Sequence, residues 1–153
     1  MVLAAFLLAY NLASRHEFVM RLGHDTPVLS RLGPDPRVVS QESWQSVREG
    51  PVYINLRAPS WFDHGTVTLE YKDEGYSLSG MGAQVGPGFA YHVVSRPSQE
   101  VPLADGWVRA SYTFSFAGLH QPKNVKRFLL DLQPSRRTGG ELLIRDLRVF
   151  VTQ

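Results

Sequence analysis

The sequence predicts an all-β protein: an antiparallel β-sandwich of jelly-roll type, preceded by a short apolar N-terminal helix. Three observations predict it. From Pro51 onward, apolar residues recur at every second position in one run after another, the spacing that lays one face of a strand on a core. The 13 glycines and 10 prolines cut the 153 residues into short pieces, as a sandwich that turns often requires. Most of the 6 tyrosines, 8 phenylalanines and 3 tryptophans sit among Val, Thr and Leu, a mixture that suits pleated sheet. No helical pattern of convincing length follows residue 50, which argues against α/β. The chain divides into an apolar segment, residues 1–14, and one β-sandwich domain, residues 15–153.

The elements follow in order. Residues 2–13 (VLAAFLLAYNLA) are apolar apart from Asn11. As a helix they would extend about 18 Å, short of the roughly 30 Å of a bilayer core. Three readings stay open: a membrane anchor that begins further upstream, an export signal with Asn11, Leu12 and Ala13 as its cleavage-like end, or a buried helix. Arg15 and His16 end the apolar run in each case. Residues 17–22 (EFVMRL) alternate, with Phe18, Met20 and Leu22 on one face, and predict a strand. Residues 23–36 are rich in Gly, Pro and Asp and predict loops. Val38 and Val39 can open a short strand. Residues 40–50 are polar, with Trp44 and Val47 three apart, and read as one or two helical turns. Residues 52–57 (VYINLR) turn Val52, Ile54 and Leu56 inward and Tyr53, Asn55 and Arg57 outward. Residues 66–71 (TVTLEY) do the same with Val67, Leu69 and Tyr71, and residues 72–75 predict a turn. Residues 83–85 and 90–94 are shorter strands around Gly86, Pro87 and Gly88. Residues 107–116 (WVRASYTFSF) form the longest alternation, with Trp107 assigned to the core. Residues 128–132 follow, then a turn at Thr138, Gly139 and Gly140. In residues 141–151 the inward phase changes between Ile144 and Leu147, which predicts a bulge near Arg145 and Asp146.

The composition narrows the chemistry. Lys plus Arg is 16 and Asp plus Glu is 14, a net charge of +2 with the signs interleaved. A duplex-binding protein usually shows a one-signed basic face, so no nucleic-acid partner is expected. There is no cysteine, which excludes disulfides, thiol nucleophiles and cysteine-based metal sites. The histidines, His16, His24, His64, His92 and His120, do not fall at metal-ligand spacings. The glycine-rich stretch from Gly80 to Gly86 has neither the following Lys-Ser or Lys-Thr nor the helix of a phosphate loop, and its glycines suit bulges or close backbone approach. Gly75, Tyr76, Ser77, Leu78 and Ser79 lack the closing glycine of a nucleophile elbow. Asp63, Glu70, Asp131 and Glu141 are the carboxylates that a glycosidase reading would use, but charges at outward strand positions are ordinary, and no enzyme is expected.

Aromatic platforms are the better functional signal, because a sugar's apolar C–H face stacks on a flat ring. The candidates are Trp61, Phe62, Tyr76, Phe89 and Tyr91, with Trp44 beside them; Trp61 and Phe62 follow the turn at Pro59 and Ser60, which could expose both rings. Lys123, Lys126 and Arg127, then Arg136 and Arg137, form two basic loops that could face anionic lipid.

Two resemblances attach to these residues. Gly106 to Phe114, then Arg127, Phe128, Leu129 and Leu130, then residues 143–149 (LIRDLRV), resemble the closing strands of galactose-binding-like jelly rolls. Those are found in carbohydrate-binding modules and as accessory domains. That resemblance implies Asp146 as a ligand of a structural Ca²⁺, with Glu17 and Glu141 as candidates for further oxygens; no other cofactor is implied. Second, the apolar segment, residues 14–19 (SRHEFV), residues 50–62 (GPVYINLRAPSWF) and residues 66–71 are similar to the extracytoplasmic β domain inserted after the first transmembrane helix of some bacterial peptide-type ABC permeases. It implies a membrane-anchored or excised extracytoplasmic part, not a pore. The leading expectation is therefore a non-enzymatic, membrane-associated extracytoplasmic binding or accessory module, part of a transport system, with the membrane met through residues 2–13 and a protein partner or carbohydrate as ligand. The alternatives are a carbohydrate-binding module and a small β-sandwich hydrolase or lyase.

Overall fold

The computed structural model describes residues 15–134 and 139–153. Eleven strands are present among them: β1 (Arg15–Val19), β2 (Val38–Ser40), β3 (Gln45–Val47), β4 (Val52–Arg57), β5 (His64–Glu74), β6 (Tyr76–Gln84), β7 (Tyr91–Val94), β8 (Gln99–Pro102), β9 (Val108–Ser115), β10 (Val125–Pro134) and β11 (Glu141–Thr152). They form two antiparallel sheets. One has the order β2-β3-β11-β5-β9-β8, with β1 also on β11; the other is β4-β10-β6-β7. The long β11 serves two short strands along one edge, β3 at Leu142–Ile144 and β1 at Arg148–Thr152. The expected N-terminal helix, and the anchor or signal readings of it, fall on residues 1–14, outside the described residues. Among the described residues no helix is long and apolar enough to cross a membrane.

The alternation read from the sequence decides which side chains meet between the sheets. Val67, Leu69, Leu142, Ile144, Leu147 and Val149 from the larger sheet are fully buried, as are Ile54, Leu56, Met81, Phe128 and Leu130 from the smaller. Phe128 is the centre of an aromatic cluster, its ring 5.2 Å from Phe114 and 6.3 Å from Phe116. Each such side chain gains about 1.5–3 kcal/mol by leaving water, which is why the pairing register holds. The phase change in β11 is a bulge: Ile144 pairs with Tyr71 and Asp146 with Glu70, leaving Arg145 as the extra residue.

Several expectations are corrected. Residues 40–50 are not helical; Gln41 N–H closes onto Trp44 O at 2.8 Å, and β2 and β3 form a hairpin because β11 offers β3 a free edge. The first strand begins and ends earlier than expected, at Val19, after which Met20 N–H still reaches Leu147 O. Residues 72–74 continue β5, and the chain changes sheets at Gly75. Gly75 has φ +114°, and a Cβ there would lie 2.6 Å from Gly140 Cα, so two glycines in contact make the corner. The strand expected at residues 83–85 is the end of the longer β6, which takes in Gly80 and Gly82; Gly80 is a close backbone approach, as expected, since a Cβ there would stand 2.5 Å from Val94 O. Trp107 is only half-buried, beneath the Arg145 guanidinium at 4.4 Å. Lys126 is not in a basic loop: β10 starts one residue earlier, and period two puts Lys126 on the core face with Phe128 and Leu130, fully buried. The basic pair Arg136 and Arg137, and part of the turn at Thr138, lie outside the described residues.

Candidate functional site

The outward face of the smaller sheet carries the site. Period two on β4 turns Tyr53 and Asn55 away from the core, and on β10 it does the same for Arg127 and Leu129. The register sets Arg127 beside Asn55 and Leu129 beside Tyr53; Leu129 then neighbours Gly82, which neighbours Val93. Gly82 leaves the middle of this row without a side chain. A Cβ there would stand 3.4 Å from Tyr91 Cβ and 3.3 Å from Val93 Cγ2. The Tyr91 ring instead leans over the sheet and meets the Tyr53 ring from the opposite edge, with centroids 6.1 Å apart and planes 27° apart. Two tyrosines three strands apart become one aromatic strip.

Arg127 fixes this strip. Its Nε donates to Asn55 Oδ1 at 2.9 Å, and its guanidinium carbon lies 5.5 Å from the centre of the Tyr53 ring. Burial raises the Tyr91 phenol pKa, as does the neighbouring Tyr53, while Arg127 pulls it back; the phenol is a neutral donor and acceptor at neutral pH.

The segment after β1 builds the wall beside the strip. It caps the free edge of β4: Ser30 N–H donates to Asn55 O and Asn55 N–H to Ser30 Oγ, while Gly33 and Tyr53 exchange both backbone bonds. Leu29 and Leu32 anchor it in the core. Between wall and strip is a groove of about 380 Å³ lined by Asp25, Ser30, Arg31, Tyr53, Asn55 and Arg127. It adjoins a second hollow that shares Asp25, Ser30 and Asn55 and adds Arg57. Apolar ring faces beside fixed hydrogen-bonding groups can hold a pyranose, stacking its C–H face while its hydroxyls meet the polar side chains.

Of the aromatic residues read from the sequence, Tyr91 belongs to this strip. Phe89 is 79% exposed at the tip of the β6–β7 hairpin, where Gln84 Nε2 donates to Gly88 O at 2.9 Å. Tyr76 opens β6 and lines a separate groove with Glu49, Pro51 and Leu132. Trp61 is 56% exposed, but Phe62 is not. The turn closed by Phe62 N–H on Pro59 O folds Phe62 into the core's end, where it meets the His16 ring edge-on at 5.5 Å and Trp61 at 6.2 Å. Phe62 is therefore packing, not platform. The sequence singles out neither Tyr53 nor Asn55 as a site residue, and it places Arg127 in a basic loop facing anionic lipid, whereas Arg127 is on β10. Their outward phase was visible in the sequence for Tyr53 and Asn55; the pairing of β4 with β10, which brings Arg127 to them, was not.

The larger sheet's outward face is chemically different. Its hollow of about 510 Å³ is lined by hydroxyls that bond one another, Thr66 to Thr113 at 3.1 Å and Thr68 to Ser111 at 2.8 Å. Its Phe150 ring is covered by Arg15 at 4.9 Å. Of the carboxylates that a hydrolase would use, Glu70, Asp131 and Glu141 are engaged. Glu70 is buried and held by Arg109 Nε at 3.0 Å and Arg145 Nε at 2.6 Å; burial pushes its pKa up, the two guanidinia more than reverse this, and it is held below the usual value. Glu141 is also held low, first by Ser46 and then by Arg48. Asp131 accepts from Ser79 Oγ at 2.8 Å. Asp146 accepts from Arg148 Nε at 2.7 Å, and the same guanidinium holds Glu17 at 3.1 Å. A guanidinium thus stands where the calcium reading put a cation between Asp146 and Glu17. Glu141 is bound to Arg48 at 2.9 Å. Among the described residues, no group of three or more His, Asp or Glu side chains could hold a metal ion.

No family model matches the chain, and no curated protein matches it. Among solved structures it is similar to the C-terminal CBM6 of LamC, a marine laminarinase from Zobellia galactanivorans, at 13% identity and a TM-score of 0.42, covering 90% of this chain and 100% of that one. It is also similar to the N-terminal cellulose-binding domain of β-1,4-glucanase C from Cellulomonas fimi, at 14% identity and a TM-score of 0.43, covering 85% of this chain and 92% of that one. A third is the mannan-recognising carbohydrate-binding module TmCBM27, at 10% identity and a TM-score of 0.39, covering 90% and 99%. These overlaps assign no ligand to this chain.

Proposed function

We propose that the protein is a non-catalytic carbohydrate-binding module whose ligand lies along the Tyr53–Tyr91 strip. The observation that carries this reading is the meeting of those two rings across four strands, with Arg127 and Asn55 locked beside them. The larger sheet favours this reading less, since its hydroxyls bond one another and its Phe150 ring lies beneath Arg15. The strand order favours a jelly roll: β3-β11-β5-β9 faces β4-β10-β6-β7, and the chain changes sheets at most of its connections.

A glycan array probed with the full chain tests the function. Tyr53→Ala and Tyr91→Ala should each weaken the binding found by about 1–2 kcal/mol, the scale of a good aromatic contact. Binding indifferent to both substitutions would remove the reading. An extracytoplasmic, membrane-anchored setting rests on residues 1–14, outside the described residues; flotation with liposomes, comparing the chain with one lacking residues 1–13, tests that separately.

A further inference from the structure

We infer that the groove takes an acidic saccharide, with a carboxylate or sulfate of the sugar seated on Arg127 and with Arg57 and Arg31 extending the same charge along the wall. The inference rests on the carbohydrate reading above and names the ligand's class.

The argument comes from how the arginines are paired. On the outward face of the larger sheet most are ion-paired: Arg109 and Arg145 share Glu70, and Arg148 holds both Asp146 and Glu17, while Arg15 lies over the Phe150 ring. In the groove they are not. Among the described residues, neither Arg127 nor Arg57 has an ion-pair partner, and the groups Arg127 bonds are neutral, the Asn55 amide at its Nε and the Tyr91 phenol. Arg31 is paired to Asp35 at 2.9 Å, but both side chains are largely exposed, 44% and 61%, and such a pair exchanges readily for a better one. The acid lining the groove is Asp25, and one of its oxygens is already taken by Arg31 N–H at 3.0 Å. The lining therefore carries three guanidinia against one carboxylate.

A guanidinium stays charged at any physiological pH and presents a planar fork that matches a carboxylate or a sulfate. Arg127 is positioned by its contacts to Asn55, to the Tyr53 ring and to the Tyr91 phenol. Little of its freedom remains to be lost on binding. A ring stacked on the tyrosines would bring a substituent at its edge to this fork. A neutral sugar's hydroxyls can accept from the guanidinium's remaining donors but leave its charge unneutralised and its planar fork unmatched.

The test is calorimetry on the full chain with four probes: hexagalacturonate for the carboxylate, a heparin hexasaccharide for the sulfate, cellohexaose as the neutral sugar, and polyglutamate as an acid that is not a sugar. One of the two acidic sugars should bind at least about tenfold tighter than cellohexaose, and which one identifies the anion. Arg127→Met should abolish that margin, weakening the acidic sugar at least about tenfold more than cellohexaose, and Arg127→Lys should restore part of it, because the charge returns without the fork. Arg57→Met should narrow it, and it carries the test if Arg127→Met disturbs folding, since Arg57 has no ion pair to lose among the described residues. Equal affinity for cellohexaose and the acidic sugars, insensitive to both substitutions, overturns the inference and leaves the carbohydrate reading standing. Polyglutamate bound as tightly as the acidic sugars also overturns it, as plain polyanion capture. Failure of all three sugars overturns the inference and counts against the carbohydrate reading as well.

Discussion

Lys126→Met should leave the protein at least as stable as the wild type at neutral pH, whereas Lys126→Ala should cost about 2–5 kcal/mol. The difference follows from where the side chain sits. Lys126 is fully buried on the core face of β10; its Nζ donates to Ala58 O at 3.1 Å and lies 4.9 Å from the centre of the Phe116 ring. The carbonyl and the ring return about 1.5–3 and about 0.5–2 kcal/mol, against a desolvation penalty of several kcal/mol for an ammonium taken out of water. Those terms roughly cancel. What remains is the stem, whose three methylenes beyond Cβ are each worth about 0.8 kcal/mol; methionine keeps nearly all of that volume and alanine leaves a cavity. Burial lowers the Lys126 pKa below its ordinary 10.5, so the unfolded chain holds this proton more tightly than the folded one. Stability should then rise with pH from the lowered folded value up to the unfolded value and level off above it. Lys126→Met should remove that rise. Urea unfolding midpoints, compared at neutral pH and near pH ~10, read both effects. A methionine variant as damaged as the alanine variant would refute the reasoning, because the ammonium's contacts would then be a net source of stability.

Three further predictions concern other places in the fold. Glu70→Gln should cost about 1–3 kcal/mol at neutral pH. Because the Glu70 pKa is held below its usual 4.5, the wild type should lose that advantage as pH falls through the lowered value, so the two proteins should converge in acid-unfolding curves. Gly75→Ala should destabilise by at least about 1–3 kcal/mol, measured as a shift in thermal midpoint, since φ is +114° and the new Cβ would stand 2.6 Å from Gly140 Cα. Gly82→Val should abolish glycan binding by displacing the Tyr91 ring from Tyr53, and should also lower the thermal midpoint, because the position is buried and the new Cβ would stand 3.3 Å from Val93 Cγ2 and 3.4 Å from Tyr91 Cβ.

The parts of the fold that were legible in the sequence are those set by period two. Residues 52–57 were read with the inward and outward sides the structure shows, and the bulge at Arg145 was visible because the apolar phase slipped by one residue. The short hairpin of β2 and β3 was not legible, because three-residue strands carry too little alternation; a free edge of β11, far off in sequence, makes them strands. Lys126 was misplaced for a related reason: a lysine beside Lys123 and Arg127 looks like a basic loop until β10 is known to start at Val125. The site divides in the same way. Tyr91 was identified as an aromatic candidate, and the outward phase of Tyr53 was on the page, but their meeting depends on Gly82, a residue whose contribution is the absence of a side chain. The turn at Pro59 and Ser60 could expose both Trp61 and Phe62 as far as the sequence goes; its backbone bond leaves Trp61 outside and buries Phe62.

Backbone amide NMR of the full chain, titrated with hexagalacturonate and with cellohexaose, addresses the central claim most directly. The largest shifts should fall on Tyr53, Asn55, Gly82, Tyr91 and Arg127, along the outward face of the smaller sheet. Shifts concentrated on Thr66, Thr68, Ser111 and Thr113 of the larger sheet, or around Trp61, would contradict it.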